Sequence, residues 1–64
     1  MKNVREMIAA TQNEISAILN EIEEMKILRA NAASQFEFDC HTISLDKLRY
    51  ELEGAQERLS ALSG

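Results

Sequence analysis

Apolar residues recur through the first half of the chain at alternating steps of four and three positions. This spacing places them on one face of a helix and is typical of a helix that packs against another helix. Asn3 is a suitable N-cap, and Glu6 occupies the position of a capping-box acid. Without a glycine or proline before Ala32, the pattern predicts one amphipathic helix over about residues 3–33. Its seam positions are Val4, Ile8, Thr11, Ile15, Ile18, Ile22 and Met25.

A second seam with the same spacing occupies the last third of the chain. It predicts a helix over about residues 45–62, with Ser44 as N-cap and Asp46 in the first turn, where the helix dipole favours an anion. The apolar positions of this seam are Leu45, Leu48, Leu52, Ala55, Leu59 and Leu62.

The connection, about residues 34–43, alternates apolar and polar side chains, most clearly around Phe36 and Phe38. Two short strands with a turn at Asp39 and Cys40 would place Phe36 and Ile43 on one face. Such turns prefer glycine where Cys40 stands, because they need positive φ. A tiny β-hairpin and an irregular loop with both phenylalanines packed on the helices are therefore the two alternatives.

The two predicted helices differ in length, at about 45 Å and about 28 Å for a rise of about 1.5 Å per residue. A short connection predicts antiparallel packing, seam against seam, which leaves the start of the longer helix without a partner in its own chain. We expect this overhang to contact a second copy in a helical dimer or larger bundle. Fraying of the first turns and docking of a different protein are the alternatives.

These expectations assign the apolar residues to three sets. The expected oligomer interface is Val4, Met7, Ile8, Thr11, Ile15 and Ile18. The expected hairpin seam is Ile22, Met25, Leu45, Leu48, Leu52, Leu59 and Leu62. The candidate surface for a further partner is Ile27, Phe36, Phe38 and Tyr50.

Size and charge narrow the classes of function. With 64 residues, the chain is expected to be one complete domain, residues 1–64, whose core alone gives marginal stability. A net charge of −4 provides no basic surface for nucleic acid. We expect no membrane span and no signal peptide, since no apolar run is long enough, and hence a cytoplasmic protein.

The chain offers little chemistry for a catalytic site or a metal site. Cys40 is the single cysteine and His41 the single histidine, whereas a zinc site needs about four ligands. A thiol nucleophile with His41 as its base would lack a third, orienting group. The sequence also lacks a glycine-rich phosphate loop and a serine-centred nucleophile elbow. We therefore expect a protein that is not an enzyme and that binds no cofactor and no metal.

The segment RANAASQFEFDCHTISLDKLRYELEGA, residues 29–55, resembles small bacteriophage domains in which a helix, an aromatic hairpin and a second helix follow one another. One such group is a tail-protein domain of unknown function, and another is the lambda-type head–tail joining protein W. Phe36, Phe38, Asp39 and Asp46 match the general pattern, and Cys40 stands where those families have glycine. The resemblance implies a phage origin and transfers no functional residue.

The expected function is that of a small phage-type protein that acts through helix-mediated oligomerisation and protein binding, as a virion component or an assembly factor in the host cytoplasm. One alternative is an inhibitor of a host or anti-phage defence protein, with Met7, Ile27 and Tyr50 as candidate contacts. The other is an oligomer that sequesters a small ligand between its subunits.

Overall fold

The computed structural model describes residues 3–64 and contains two helices, α1 (Val4–Ala30) and α2 (Gln35–Ser63). They pack against each other as an antiparallel hairpin joined by residues 31–34, so the predicted helical hairpin is confirmed. The molecule measures 48 × 17 × 14 Å, a rod that is one helix pair wide.

Both ends of α1 are capped by asparagine. Asn3 Oδ1 accepts a hydrogen bond from the backbone N–H of Glu6 at 2.8 Å, which confirms the predicted N-cap. At the other end Asn31 Nδ2 donates to the carbonyl oxygen of Ile27 at 2.9 Å, and the Asn31 backbone N–H donates to the same oxygen at 3.1 Å. The helix therefore ends at Ala30, earlier than the predicted end at residue 33.

The start of α2 lies at Gln35 rather than at Leu45. Ser34 is its N-cap: Ser34 Oγ accepts from the Glu37 N–H at 3.2 Å, while Glu37 Oε2 accepts from the Ala33 N–H at 2.7 Å. This reciprocal pairing is a variant of the capping box. The predicted connection over residues 34–43, its β-hairpin alternative and Ser44 as N-cap are wrong, and residues 3–64 contain no strand.

The helices are nearly equal in length, with 27 residues in α1 and 29 in α2, so the predicted overhang of the first helix is wrong. The early start of α2 lengthens that helix until it spans the whole of α1. Thr11 and Ile18 are buried within the single chain, and Ile8 and Ile15 are half-buried. Four of the six residues that were assigned to an interface between chains thus contribute to the hairpin itself.

The core is a single row of apolar contacts between the two helices. Leu45 is completely buried, and Ala55 is equally inaccessible. Of the predicted seam, Ile22, Leu45 and Leu48 are buried, and Met25 and Leu52 pack against them. The buried cluster with its packed neighbours is Ile15, Ile18, Ile22, Met25, Leu45, Leu48, Leu52 and Ala55. Leu59 and Leu62 are half-buried further towards the end of α2.

The same seam continues into the part of α2 that the sequence pattern assigned to the connection. Phe38 lies one heptad before Leu45, and its ring centroid is 5.4 Å from the guanidinium carbon of Arg29. Thr42 is half-buried, and its hydroxyl donates to the Phe38 carbonyl oxygen at 3.0 Å. Because Phe38 and the half-buried His41 lie one heptad before Leu45 and Leu48, this segment is a regular continuation of the helix.

Candidate protein-interaction surface

Three large side chains of α2 project into solvent. Phe36 is 79% exposed, Ile43 is 69% exposed and Tyr50 is 79% exposed. They are spaced at intervals of seven residues, so they form one line along the helix, which we call the outer row. Glu57 holds the next heptad position and closes the row with a charge.

The outer row lies on the side of α2 that faces away from α1. Ile43 precedes the fully buried Leu45 by two residues, which corresponds to about 200° around a helix with 3.6 residues per turn. The same offset separates Phe36 from Phe38 and Tyr50 from Leu52. α2 thus carries apolar residues on two opposite sides, and α1 covers one of them.

Two further lines of residues flank the outer row, and they differ in character. One consists of small residues and one cation, and we call it the flanking row: Cys40, Lys47, Gly54 and Ala61. The line on the other side is mostly acidic: Asp39, Asp46, Glu53 and Ser60. Removing carboxylates from water is expensive even where they have partners, as Asp46 has in Arg49 Nη1 at 3.9 Å. A helix that packs on this face would therefore lie over the outer row and the flanking row.

A recess opens at Gly54, in the middle of the outer face of α2. A notch of about 230 Å³ is bounded there by Tyr50, Glu53, Gly54 and Glu57. A Cβ atom built at Gly54 would meet nothing within 4 Å, so no part of the hairpin requires glycine at this position. Glycine inside a helix costs about 1 kcal/mol relative to alanine, and here that cost leaves an opening beside the outer row.

A second recess lies near the free ends of the two helices, between the start of α1 and the end of α2. Its volume is about 450 Å³, and its lining is Met7, Ala10, Thr11, Arg58, Ala61 and Leu62. Arg58 is the charged member of this lining, and its Nη2 is 2.8 Å from Glu14 Oε1 across the helix pair. Ala61 belongs to the flanking row, so this groove adjoins the same face as the notch at Gly54.

The structure separates the residues that the sequence assigned to partner contacts. Phe36 and Tyr50 share the outer row, and Ile43, which was not assigned to that surface, lies between them. Ile27 is 62% exposed but belongs to α1, and Phe38 lies towards the seam beside Arg29. The heptad spacing of residues 36, 43 and 50 could have identified the row, had the segment been assigned to a helix.

Val4 and Met7 are the members of the predicted oligomer interface that are exposed in the hairpin. Val4 is 55% exposed and Met7 is 41% exposed, near the free end of α1. Met7 lines the groove beside Ala61, and its carbonyl oxygen accepts from the Thr11 hydroxyl at 2.8 Å. Met7 thus borders the outer face of α2 only at the last turns of that helix.

Within residues 3–64, polar chemistry is sparse. No group of three or more His, Cys, Asp or Glu residues is placed to hold a metal ion, and no helix is both long and apolar enough to cross a bilayer. Cys40 is an exposed thiol in the flanking row, and His41 beside it is half-buried. The feature of this part of the chain that stands out is therefore the apolar outer face of α2.

Comparison of the chain with models of known protein families, with curated proteins and with solved structures finds no match.

Proposed function

We propose that the protein is a non-catalytic helical hairpin that works by self-association and protein binding through the outer face of α2. The observation that supports this proposal is the outer row, whose three members are 79%, 69% and 79% exposed. At about 200 Å² for each such side chain, they present roughly 450 Å² of mostly apolar surface. That is the size of the largest apolar patch on an ordinary monomer, carried here by a chain of 7.2 kDa.

The shape of the hairpin adds support. Its solvent-accessible area is 4939 Å², whereas a compact monomer of the same mass exposes roughly 4,100 Å². The difference of about 800 Å² equals the area that each partner typically buries in a stable complex. A second copy is the simplest partner, because a rod one helix pair wide becomes a thicker bundle when two such faces meet.

Three finer statements from the sequence stay predictions. They are a role as a virion component or assembly factor of a bacteriophage, the absence of catalysis, and a location in the cytoplasm. The strand–turn–strand element that the phage resemblance implies falls on residues that are helical here. The proposal of self-association rests on the outer row and does not depend on that resemblance.

The proposal is tested by placing a charge in the outer row. Ile43→Asp introduces a carboxylate at a 69% exposed position that the hairpin core does not use. Ile27→Asp is the matched control, since it makes the same change at a 62% exposed position on α1. By sedimentation velocity, we expect Ile43→Asp to be monomeric and Ile27→Asp to associate like the unaltered chain. Equal association of all three proteins would contradict the proposal.

A further inference from the structure

We propose that two copies of the hairpin pack α2 against α2 in an antiparallel, two-fold symmetric dimer with one defined register. In this register, the residue numbers of any two residues that face each other across the interface add up to 97. This inference rests on the proposed self-association and specifies its geometry. It follows from three observations on the outer face: the spacing of its projections, the spacing of its recesses, and the distribution of its charges.

The projections and recesses have the same spacing. Phe36 and Ile43 are seven residues apart, and so are Gly54 at the notch and Ala61 at the groove. On a helix both intervals are about 10.5 Å, at about 1.5 Å per residue. When two copies run antiparallel in this register, Phe36 faces Ala61 of the partner subunit while Ile43 faces Gly54 of the partner subunit.

Both large side chains would then enter open space. The groove beside Ala61 has a volume of about 450 Å³ and is lined mostly by apolar groups. The notch at Gly54 has a volume of about 230 Å³, and no atom lies within 4 Å of the Cβ position there. A two-fold axis repeats each contact, so the two copies together fill four recesses with four projections, as an isologous interface requires.

Between these contacts, the remaining members of the outer row face the remaining members of the flanking row. Tyr50 faces Lys47 of the partner subunit in this register, and the two-fold axis repeats the pair. The aliphatic stem of a lysine packs on an aromatic ring, and its ammonium group is attracted to the ring face. Glu57 faces Cys40 of the partner subunit between the Phe36 and Ile43 contacts, so its carboxylate has to extend sideways to stay in water.

Other arrangements of the same two faces are less favourable. A parallel dimer in register would place Lys47 against Lys47 and Glu57 against Glu57, which is repulsive. An antiparallel dimer shifted by one heptad would place Tyr50 over the Gly54 notch, but Phe36 would extend past the end of the partner at Gly64. A shift by one heptad in the other direction would place Phe36 over the Gly54 notch, but Ile43 would then face Lys47 of the partner subunit, and Ala61 would lie beyond the start of the partner's α2. The register that sums to 97 is the one that matches both Phe36 and Ile43 with a recess.

Disulfide trapping tests the register, because Cys40 lies in the interface and is the sole cysteine of the chain. Glu57→Cys places a second thiol opposite Cys40 of the partner subunit. Within one chain, positions 40 and 57 are about 26 Å apart along the helix, at about 1.5 Å per residue, and a disulfide needs Cα atoms within about 7 Å. Any bond between these two positions must therefore join two chains.

In a glutathione redox buffer, we expect Glu57→Cys to shift on non-reducing gels from the chain mass of 7.2 kDa to twice that mass. Glu53→Cys is the matched control, because it changes another exposed glutamate on the acidic side of α2 and should stay at the chain mass. Peptide mapping should locate the bond between position 57 and Cys40 of the other chain. The unaltered protein should form no disulfide, since its two Cys40 thiols are far apart in this dimer.

The outcomes separate this inference from the proposed function. A disulfide dimer of the unaltered chain would place the two Cys40 residues side by side, in a parallel or a shifted antiparallel dimer, and would overturn the register. The register is equally wrong if sedimentation shows dimers of Glu57→Cys that do not crosslink, and in both cases self-association through the outer face would stand. Protein that sediments as a monomer and does not crosslink would contradict the proposed function as well.

Discussion

Leu45 and Ile43 provide a matched pair of core and surface positions on one helix. Leu45 is 0% exposed and contributes the largest fully buried side chain, whereas Ile43, two residues earlier, is 69% exposed. Truncating each to alanine removes a similar apolar volume from opposite sides of α2. We predict that Leu45→Ala strongly destabilises the hairpin and that Ile43→Ala leaves its free energy of unfolding nearly unchanged.

The expected magnitudes are far apart. A buried leucine replaced by alanine costs about 2–5 kcal/mol, from lost transfer free energy and the cavity left behind. A chain of 64 residues has a total stability of about 3–10 kcal/mol, at about 0.05–0.15 kcal/mol per residue. Leu45→Ala therefore removes a large fraction of the stability of the fold. An exposed substitution usually changes it by less than about 0.5 kcal/mol.

Urea unfolding followed by far-UV circular dichroism measures both effects. The experiment uses the lowest workable protein concentration, because association stabilises the folded state by mass action. For a slope of about 1 kcal/mol per molar urea, Leu45→Ala should lower the midpoint by about 2 M or more. A loss below 1 kcal/mol for Leu45→Ala, or a larger loss for Ile43→Ala than for Leu45→Ala, would refute the assignment of these residues to the core and to the outer row.

Two further predictions concern α2. Ser34→Ala removes the oxygen that accepts from the Glu37 N–H, so it should lower the free energy of unfolding by about 1 kcal/mol in urea titrations. It should also increase amide hydrogen exchange over residues 35–38. No change in either measurement would contradict the start of α2 at Gln35. Gly54→Ala, made in the monomeric Ile43→Asp background, should raise the melting temperature by about 4–8 °C. The reason is that alanine improves helix propensity by about 1 kcal/mol and that its Cβ meets nothing within 4 Å. A lower melting temperature would contradict the open space at this position.

The seam of the hairpin could be predicted from the sequence because each helix keeps one apolar row in strict heptad spacing. Ile22, Leu45 and Leu48 were assigned to the hairpin seam, and all three are buried, as is Ile18, which was assigned to an interface between chains. The N-cap at Asn3 could also be predicted from the sequence, since asparagine precedes the first seam residue and an acid follows three positions later. Short-range spacing and capping chemistry were sufficient for these features.

The first turns of α2 were missed because the helix is apolar on two opposite sides. Phe36 belongs to the outer row and Phe38 to the seam side, which are about 200° apart on the helix. Two apolar residues separated by one polar residue give the same sequence pattern as a strand with alternating apolar and polar side chains. The same pair recurs as Ile43 with Leu45 and Tyr50 with Leu52. A strand cannot maintain this repeat at intervals of seven, and Ser34 with Glu37 gave the capping signal that marks the true start.

That error in the first turns carried over to the expected oligomer. A second helix that began near residue 45 would have left Val4, Met7, Ile8 and Thr11 without a partner, whereas α2 actually extends far enough to bury Thr11. The argument for association therefore moves from the start of α1 to the outer face of α2. Its physical basis is unchanged, because apolar surface that remains in water favours contact with another apolar surface.

Sedimentation equilibrium of the unaltered protein tests the proposed self-association most directly. From micromolar to millimolar concentration, we predict that the average mass rises from the chain mass of 7.2 kDa to twice that value and then levels off, as expected for a closed two-fold dimer. A mass that stays at 7.2 kDa over the whole range, in a chain that remains helical, would contradict the claim that the outer face of α2 is a self-association surface.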